Sequence, residues 1–285
     1  MTLAATSVRD PFFIDHKDRR LFAIYHPAAS GSGNGSNTQG GVVFFAPFAE
    51  ELNRTRKMAT LLAEALSPHG IATLVFDYSC TGDSTGRFEQ ADWAHWIDDG
   101  AAAIAWLAAK IDKPVTPIGL RLGAALALLS AAKEPQPIRG TVLWQPVTNG
   151  SVMLNQFLRI RIAAALSSGE DGETTKDLRA RLSAGETLEV AGYDLNPALV
   201  RGIDAVSLGQ IPPSFGTAHD WFEVSTEDEG DLTPASQAVV EKWRGAKATV
   251  SAQTVQGEPF WSTQEMATAP ALIKATVDAV TGGNP

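Results

Sequence analysis

The chain has 285 residues, of which 44% are hydrophobic and 19% charged, and its formal net charge at pH 7 is −9. This length allows one or two domains with a sizeable core, and the negative charge argues against partners such as nucleic acid or an anionic membrane surface. The single cysteine excludes an intrachain disulfide framework and a cysteine-rich metal site. Residues 1–10 lack the pattern of a secretory signal, and no apolar run approaches the length of a membrane span. We therefore expect a cytoplasmic protein with no membrane insertion, no metal and no cofactor.

Short apolar runs alternate with helical patterns along the first half of the chain. Predicted strands cover residues 12–14, 21–25, 42–46, 71–76, 115–118 and 141–144. Predicted helices cover residues 58–66, 91–111 and 122–132. The first two strands indicate an antiparallel hairpin at the edge of a sheet. The alternation that follows them predicts right-handed β-α-β units and a parallel sheet.

The alternation stops at residue 150 and resumes after residue 209. The intervening pattern is helical, at 153–166 and 173–183, without a clear strand. Further elements are predicted at 221–224 (strand), 234–243 (helix), 248–255 (strand) and 266–280 (helix). We predict an α/β-hydrolase fold with a mostly parallel eight-stranded sheet flanked by helices. Its core is formed by residues 1–149 and 210–285, and a helical cap is inserted at 150–209.

The segment from Gly119 to Gly123 has the spacing of a nucleophile elbow, G-x-S-x-G, and lies between a predicted strand and a predicted helix. The nucleophile position is occupied by Arg121. A guanidinium is always protonated and has no lone pair for covalent catalysis. The motif therefore predicts the scaffold of a hydrolase without its usual reacting atom.

The other members of a serine-histidine-acid triad are expected later in the chain. The acid belongs after the strand at 221–224, where Glu227, Asp228, Glu229 and Asp231 are clustered, although a solvated loop accounts for them equally well. The histidine belongs after residue 255, but no histidine follows His219. Ordinary triad hydrolysis is therefore not expected.

The loop at 77–86 offers alternative nucleophiles at the same edge of the predicted sheet. Cys80 and Ser84 are the candidates, and Ser79 lies beside them. A turn in which Asp and Ser side chains bond the local backbone is the favoured interpretation. Cys80 needs a lowered pKa to react as a thiolate.

Anion binding is the property that this site is most expected to keep. The backbone N–H groups of Phe48 and Leu122 are placed to form an oxyanion hole. Arg121 opposes the dipole of the helix that it starts and therefore needs a partner. One option is an internal salt bridge, for which the candidates are Glu50, Glu51 and Glu258. The other option is a bidentate clamp on a ligand carboxylate or phosphate.

Several stretches along the chain carry a resemblance to a known family. They are PFAEELN (47–53), GDS (82–84), GLRLGA (119–124), LWQP (143–146), QFLR (156–159), EVAGY (189–193) and GEPFW (257–261). In these stretches the chain resembles the second group of exosortase A system-associated hydrolases, within the α/β-hydrolase superfamily. The resemblance implies a bacterial protein linked to exopolysaccharide synthesis and protein sorting, with arginine at the elbow. A histidine often precedes Pro47 in that family, whereas this chain has Ala46.

These observations lead to one leading hypothesis and two alternatives. The leading hypothesis is a catalytically degenerate α/β-hydrolase-fold protein that binds a small anionic, acyl or glycosyl ligand under its cap. Its candidate ligand-binding residues are Phe48, Glu50, Glu51, Arg121, Leu122, Gln145 and Glu258. One alternative is an unconventional, esterase-like hydrolase that uses the loop at 77–84. The other is a non-catalytic interaction partner in a polysaccharide-export cluster.

Overall fold

The computed structural model describes residues 10–29, 38–133, 138–169, 172–213, 217–227, 230–263 and 265–282. The strands in these residues are β1 (Asp10–His16), β2 (Arg19–His26), β3 (Gly40–Phe45), β4 (Ile71–Phe76), β5 (Val115–Leu120), β6 (Gly140–Trp144), β7 (Leu188–Val190), β8 (Tyr193–Leu195), β9 (Ala218–Ser225) and β10 (Thr249–Gln256). Eight of them form one sheet in the order β1-β2-β4-β3-β5-β6-β9-β10. The contacts of β2 with β1 and β4 are antiparallel, and the other pairs are parallel. The predicted sheet and its edge hairpin are confirmed.

The helices are α1 (Glu50–Leu66), α2 (Trp93–Ile111), α3 (Gly123–Lys133), α4 (Gly150–Ser168), α5 (Thr175–Ser183), α6 (Pro197–Asp204), α7 (Pro234–Gly245) and α8 (Pro270–Thr281). Five of them begin after a side chain that caps first-turn N–H groups, namely Asp92, Asn149, Thr174, Asn196 and Thr233. Local sequence therefore fixes where these helices start. Within the described part of the chain, no helix combines the length and apolar character that a bilayer crossing requires.

The segment between β6 and β9 contains α4, α5, β7, β8 and α6. The prediction that it lacks strands is wrong, because β7 and β8 form a small antiparallel hairpin. Their two-residue turn has φ values of 52° at Ala191 and 84° at Gly192, as in the turns that tight hairpins favour. Each strand has three residues, which is too short for a periodic pattern to register in the sequence.

Aromatic contacts join this segment to the core beside the carboxyl ends of the strands. The ring centroids of Phe48 and Phe157 are 5.1 Å apart, and those of Phe88 and Tyr193 are 5.0 Å apart. Asn196, the residue that precedes α6, adds a hydrogen bond from its side-chain amide to the Ala91 carbonyl, at 2.7 Å. The division into a core and an inserted cap stays a prediction.

Helix α3 starts in direct contact with the end of β3, and Gly123 makes this approach possible. A Cβ atom at Gly123 would lie 2.3 Å from the Phe45 carbonyl oxygen and 2.6 Å from that of Ala46. At Gly119, a Cβ atom would lie 2.4 Å from the Cα atom of Ala124. Both glycines of the elbow motif are therefore required because backbone approaches backbone there.

We expect Gly123→Ala to lower the free energy of unfolding by about 3 kcal/mol, because the atoms in its way are backbone atoms that cannot move aside. The matched control is Gly245→Ala at the end of α7, where a new Cβ meets nothing within 4 Å. This control should be neutral or stabilising by about 0.5 kcal/mol. Urea denaturation of both variants measures the difference, and equal stabilities would contradict the close approach.

Candidate functional site

Strained backbone conformations gather at the carboxyl ends of four adjacent strands. Non-glycine residues with positive φ follow β3, β4, β5 and β6, namely Ala49 (52°), Cys80 (65°), Arg121 (56°) and Gln145 (42°). Side chains other than glycine adopt this region at a cost, and such residues cluster at active and ligand-binding sites. In open α/β sheets, ligands also bind at the carboxyl ends of strands. This edge is therefore the candidate site.

Arg121 occupies the tight turn that the elbow motif predicts. Its N–H donates to the Trp144 carbonyl on β6 at 2.9 Å, and its carbonyl accepts from the N–H groups of Val147 and Ala124 at 3.2 and 3.1 Å. Three backbone hydrogen bonds thus hold the strained residue in place. The side chain is presented above the edge of the sheet, where a hydrolase carries its nucleophile.

The predicted internal ion pair of Arg121 is found with Glu51. The Nε–H group of Arg121 donates to Oε1 of Glu51 at 3.3 Å, and the two side chains are 20% and 27% exposed. The guanidinium carbon lies 5.7 Å from the centroid of the Trp261 ring, within the range of a cation–π contact. Among the described residues, the other guanidinium N–H groups of Arg121 have no acceptor.

The neighbouring carboxylate, Glu50, is engaged elsewhere. Its Oε2 accepts from the Asn53 amide at 3.1 Å and from the Tyr193 hydroxyl at 3.3 Å. Burial and, secondarily, the Glu50 charge raise the pKa of Tyr193 to about 12. Glu50 therefore links the β7–β8 hairpin to α1, whereas Glu51 forms the ion pair with Arg121.

Two opposing electrostatic effects act on the pKa of Glu51. Burial raises the pKa of its carboxyl group, while the charge and the hydrogen bond of Arg121 act in the opposite direction. Burial is the larger of these effects. The ion pair therefore offsets only part of the desolvation of Glu51.

Arg121 faces a first cavity of about 320 Å³, which we call the apolar lobe. Its apolar wall consists of Phe48, Met153, Phe157, Ile160 and Trp261. Three of these residues belong to α4, so the inserted segment forms one side of the cavity. A ligand here would meet a few charged side chains, namely Arg54, Arg121, Glu50 and Glu51, beside a hydrophobic wall, as is typical of small-molecule sites.

A second cavity of about 330 Å³, the polar lobe, adjoins the first and shares Arg121, Met153 and Gln156 with it. Its polar side chains are Gln145, Thr148, Asn149, Glu223, Thr233 and Ser236. Arg121 therefore stands between an apolar and a polar compartment.

Two predicted backbone donors lie beside Arg121. Phe48 lines the apolar lobe, and Leu122 is buried next to the elbow. Neither of their N–H groups donates to a backbone acceptor among the described residues. The contact of Gly123 with the end of β3 brings the two segments together, and an oxyanion hole formed by these two N–H groups stays a prediction.

The two remaining predicted ligand-binding residues, Gln145 and Glu258, lie in different places. Gln145 lines the polar lobe, where its N–H donates to the Phe222 carbonyl and its Oε1 accepts from the Val224 N–H, both at 2.7 Å. Glu258 does not join the group, because it is exposed and lines a separate depression beside Gln256. The expectation that Glu258 neighbours Arg121 is therefore corrected: the chain after β10 brings Trp261 to Arg121 instead.

The alternative nucleophiles are held in a structural turn. The hydroxyl of Ser84 donates to the Asp77 carbonyl at 2.7 Å and accepts from the Phe22 N–H at 2.8 Å. Burial, with a smaller contribution from Asp99, raises the pKa of the Cys80 thiol, which disfavours the reactive thiolate.

The described residues bring neither a histidine nor one of the predicted triad acids to the two lobes. Asp228 and Glu229 lie outside the described residues, and Asp231 is exposed. None of the five histidines lines either lobe. His219 is buried in β9, with its Nδ1 2.7 Å from the Thr141 hydroxyl. Among the described residues, no group of three or more His, Cys, Asp or Glu side chains is arranged to hold a metal ion.

Several residues of the site were missed in the sequence. Trp261 lies in a stretch noted only for its resemblance, and Arg54 is one helical turn beyond Glu50. Met153, Phe157 and Ile160 follow helical spacing, which indicated a helix but not a cavity wall. Glu223 directly follows the buried aromatic residues Trp221 and Phe222, and this charge in a buried run was the signal that was available.

The elbow between β5 and α3, the order of the sheet and the cavities at its carboxyl edge define a protein of the α/β-hydrolase class. A family model described as serine aminopeptidase, S33 matches residues 36–206. This match covers more than half of the chain, and the chain therefore belongs to that family. No curated protein sequence matches the chain significantly.

Solved structures show the same fold over nearly the whole chain. Est1E from Butyrivibrio proteoclasticus, with ferulic acid bound, has 17% identity and a TM-score of 0.62, and covers 95% of this chain and 96% of its own. A soluble variant of monoglyceride lipase from Saccharomyces cerevisiae has 13% identity and a TM-score of 0.63, covering 98% and 97%. A carboxyl esterase from Bacillus coagulans has 11% identity and a TM-score of 0.61, covering 97% and 99%.

The Arg121–Glu51 pair predicts how stability depends on pH. Because burial raises the Glu51 pKa, the contribution of Glu51 to stability is fully present below the ordinary carboxyl pKa. It is lost as the pH rises through the folded value. Arg121→Gln removes the charge that opposes this shift. Its stability should therefore fall further than that of the wild type, by about 1 kcal/mol, between about pH 4 and pH 7.

Thermal unfolding across this pH range measures the effect. The control is the double variant Arg121→Gln with Glu51→Gln, in which the additional decline should disappear. A decline of the same size in the double variant would show that Glu51 is not its source.

Proposed function

We propose that this chain binds a small carboxylate-bearing ligand at Arg121 and does not hydrolyse esters or peptides by a serine mechanism. The observation that carries the proposal is the guanidinium itself. It replaces the nucleophile, stands between two cavities, and donates one hydrogen bond to a protein acceptor in the described residues. A guanidinium has five N–H donors, so four of those of Arg121 have no acceptor in the described residues.

Carboxylate is the chemical group that fits these donors best. The fork of N–H groups on an arginine matches the two oxygens of a carboxylate, and such charge-assisted pairs are stronger than neutral hydrogen bonds. The free N–H groups of Phe48 and Leu122 are the second set of donors in the proposal. The apolar lobe accommodates the hydrocarbon or aromatic part of the ligand.

The comparison with Est1E supports this ligand class. That protein has the same fold and was solved with ferulic acid, which is an aromatic carboxylic acid. In the proposal for this chain, the arginine at the elbow is the group that contacts the ligand.

The proposed absence of serine-type hydrolysis rests on three features of the site. Arg121 has no lone pair, the histidines lie away from both lobes, and the Ser84 hydroxyl is committed to the backbone. The sequence resemblance supplies the proposed setting, a bacterial system of exopolysaccharide synthesis and protein sorting.

Titration calorimetry with 3-phenylpropionate tests the binding proposal. The acid should bind at least about tenfold more tightly than its methyl ester, which has the same apolar group without the charge. Arg121→Gln should remove this preference. Arg159→Gln, which deletes an exposed charge on α4 that lines neither lobe, should retain it.

A hydrolysis assay tests the other half of the proposal. Wild-type protein should not release p-nitrophenol from p-nitrophenyl butyrate above the rate of a denatured sample. Saturable turnover that is lost in Cys80→Ala or Ser84→Ala would contradict the proposal and favour an unconventional esterase.

A further inference from the structure

Glu223 is a buried carboxylate that no cation in the described residues neutralises. It is 4% exposed. Its oxygens accept hydrogen bonds from the Thr233 N–H at 2.7 Å, from the Thr233 hydroxyl at 3.0 Å, and from the Ser236 hydroxyl. These donors belong to the start of α7, where the helix dipole also favours a negative charge. The carboxylate is therefore well held, but its full charge remains at the wall of the polar lobe.

Arg121 and Glu223 stand in one row across three neighbouring strands. Leu120 pairs with Trp144, and Trp144 pairs with Phe222. The next residues along the chain are Arg121, directly after β5, Gln145, directly after β6, and Glu223, which lies on β9. Because neighbouring strands are about 4.8 Å apart, the Cα atoms of Leu120 and Phe222, which directly precede Arg121 and Glu223, are separated by about 10 Å. Both side chains line the polar lobe, which thus has a cationic and an anionic end.

The charges around the two lobes do not balance. The positive side chains that line them are Arg54 and Arg121, and the negative ones are Glu50, Glu51 and Glu223. The lining therefore carries one more negative than positive charge. A simple carboxylate would add another negative charge to this excess. A ligand with both a carboxylate and an ammonium group would leave the balance unchanged and give Glu223 a counter-charge.

We infer that the ligand is zwitterionic, an amino acid or a longer aminocarboxylate. Its carboxylate contacts Arg121 and its ammonium group contacts Glu223, while its apolar part occupies the adjoining lobe. This inference rests on the proposed function, because the carboxylate contact is the same one. A volume of about 330 Å³ holds about eleven water-sized groups, the scale of a single amino acid.

Two matched pairs of probes test the inference by titration calorimetry: phenylalanine against 3-phenylpropionate, and 6-aminohexanoate against hexanoate. Each pair shares a carboxylate and a carbon skeleton and differs in the ammonium group. In the wild type, at least one zwitterion should bind about tenfold or more tightly than its partner. Glu223→Gln should remove this advantage without weakening the simple carboxylate. Glu227→Gln, which removes an exposed charge just beyond β9, should keep it.

The outcomes separate this inference from the proposed function. If the members of each pair bind equally and Arg121→Gln abolishes both, the inference is overturned and the carboxylate site stands. If no carboxylate binds the wild type, both are overturned. An advantage that persists in Glu223→Gln also overturns the inference, because the ammonium contact then lies elsewhere. If Glu223→Gln fails to fold, the wild-type comparison decides alone: a preference for the zwitterion supports the inference, and equal affinities overturn it.

Discussion

The tight turn that carries Arg121 from β5 into α3 is the constraint on which the site depends. The turn exists because two glycines let backbone meet backbone, Gly119 against Ala124 and Gly123 against the end of β3. Its φ of 56° is then held by the hydrogen bond that Arg121 donates to the Trp144 carbonyl on β6 and by the one that it accepts from the Val147 N–H. The sheet therefore determines the position of the Arg121 side chain, and both cavities are arranged around that side chain.

Electrostatics explains how a cation is tolerated in this place. The start of α3 is unfavourable for a positive charge, and Glu51 and the face of Trp261 compensate for it from two sides. This compensation is incomplete for both members of the ion pair. Glu51 keeps a raised pKa despite its partner, and Arg121 keeps N–H donors without a protein acceptor in the described residues. The pair is therefore a stable arrangement that still has capacity for a further polar group.

The fold was largely predictable from the sequence, because strand and helix patterns alternate clearly and the elbow motif fixes the β5–α3 connection. The β7–β8 hairpin was not, since three-residue strands leave no periodic signal. At the site, the sequence named Arg121 and its partner Glu51, which lie 70 residues apart, because both follow strands that end at one edge. It misplaced Glu258 and missed Glu223, because side-chain direction at a strand end depends on packing that residue order does not contain.

The four positive-φ residues at the strand ends have a consequence for how this protein responds to selection. Each of them costs backbone energy that glycine would not. At Arg121, a glycine would relieve that strain and remove the guanidinium in the same step. Engineering that rewards thermal stability alone would therefore favour removal of the side chain on which the proposed binding site depends, as in other proteins where function is kept at the expense of stability.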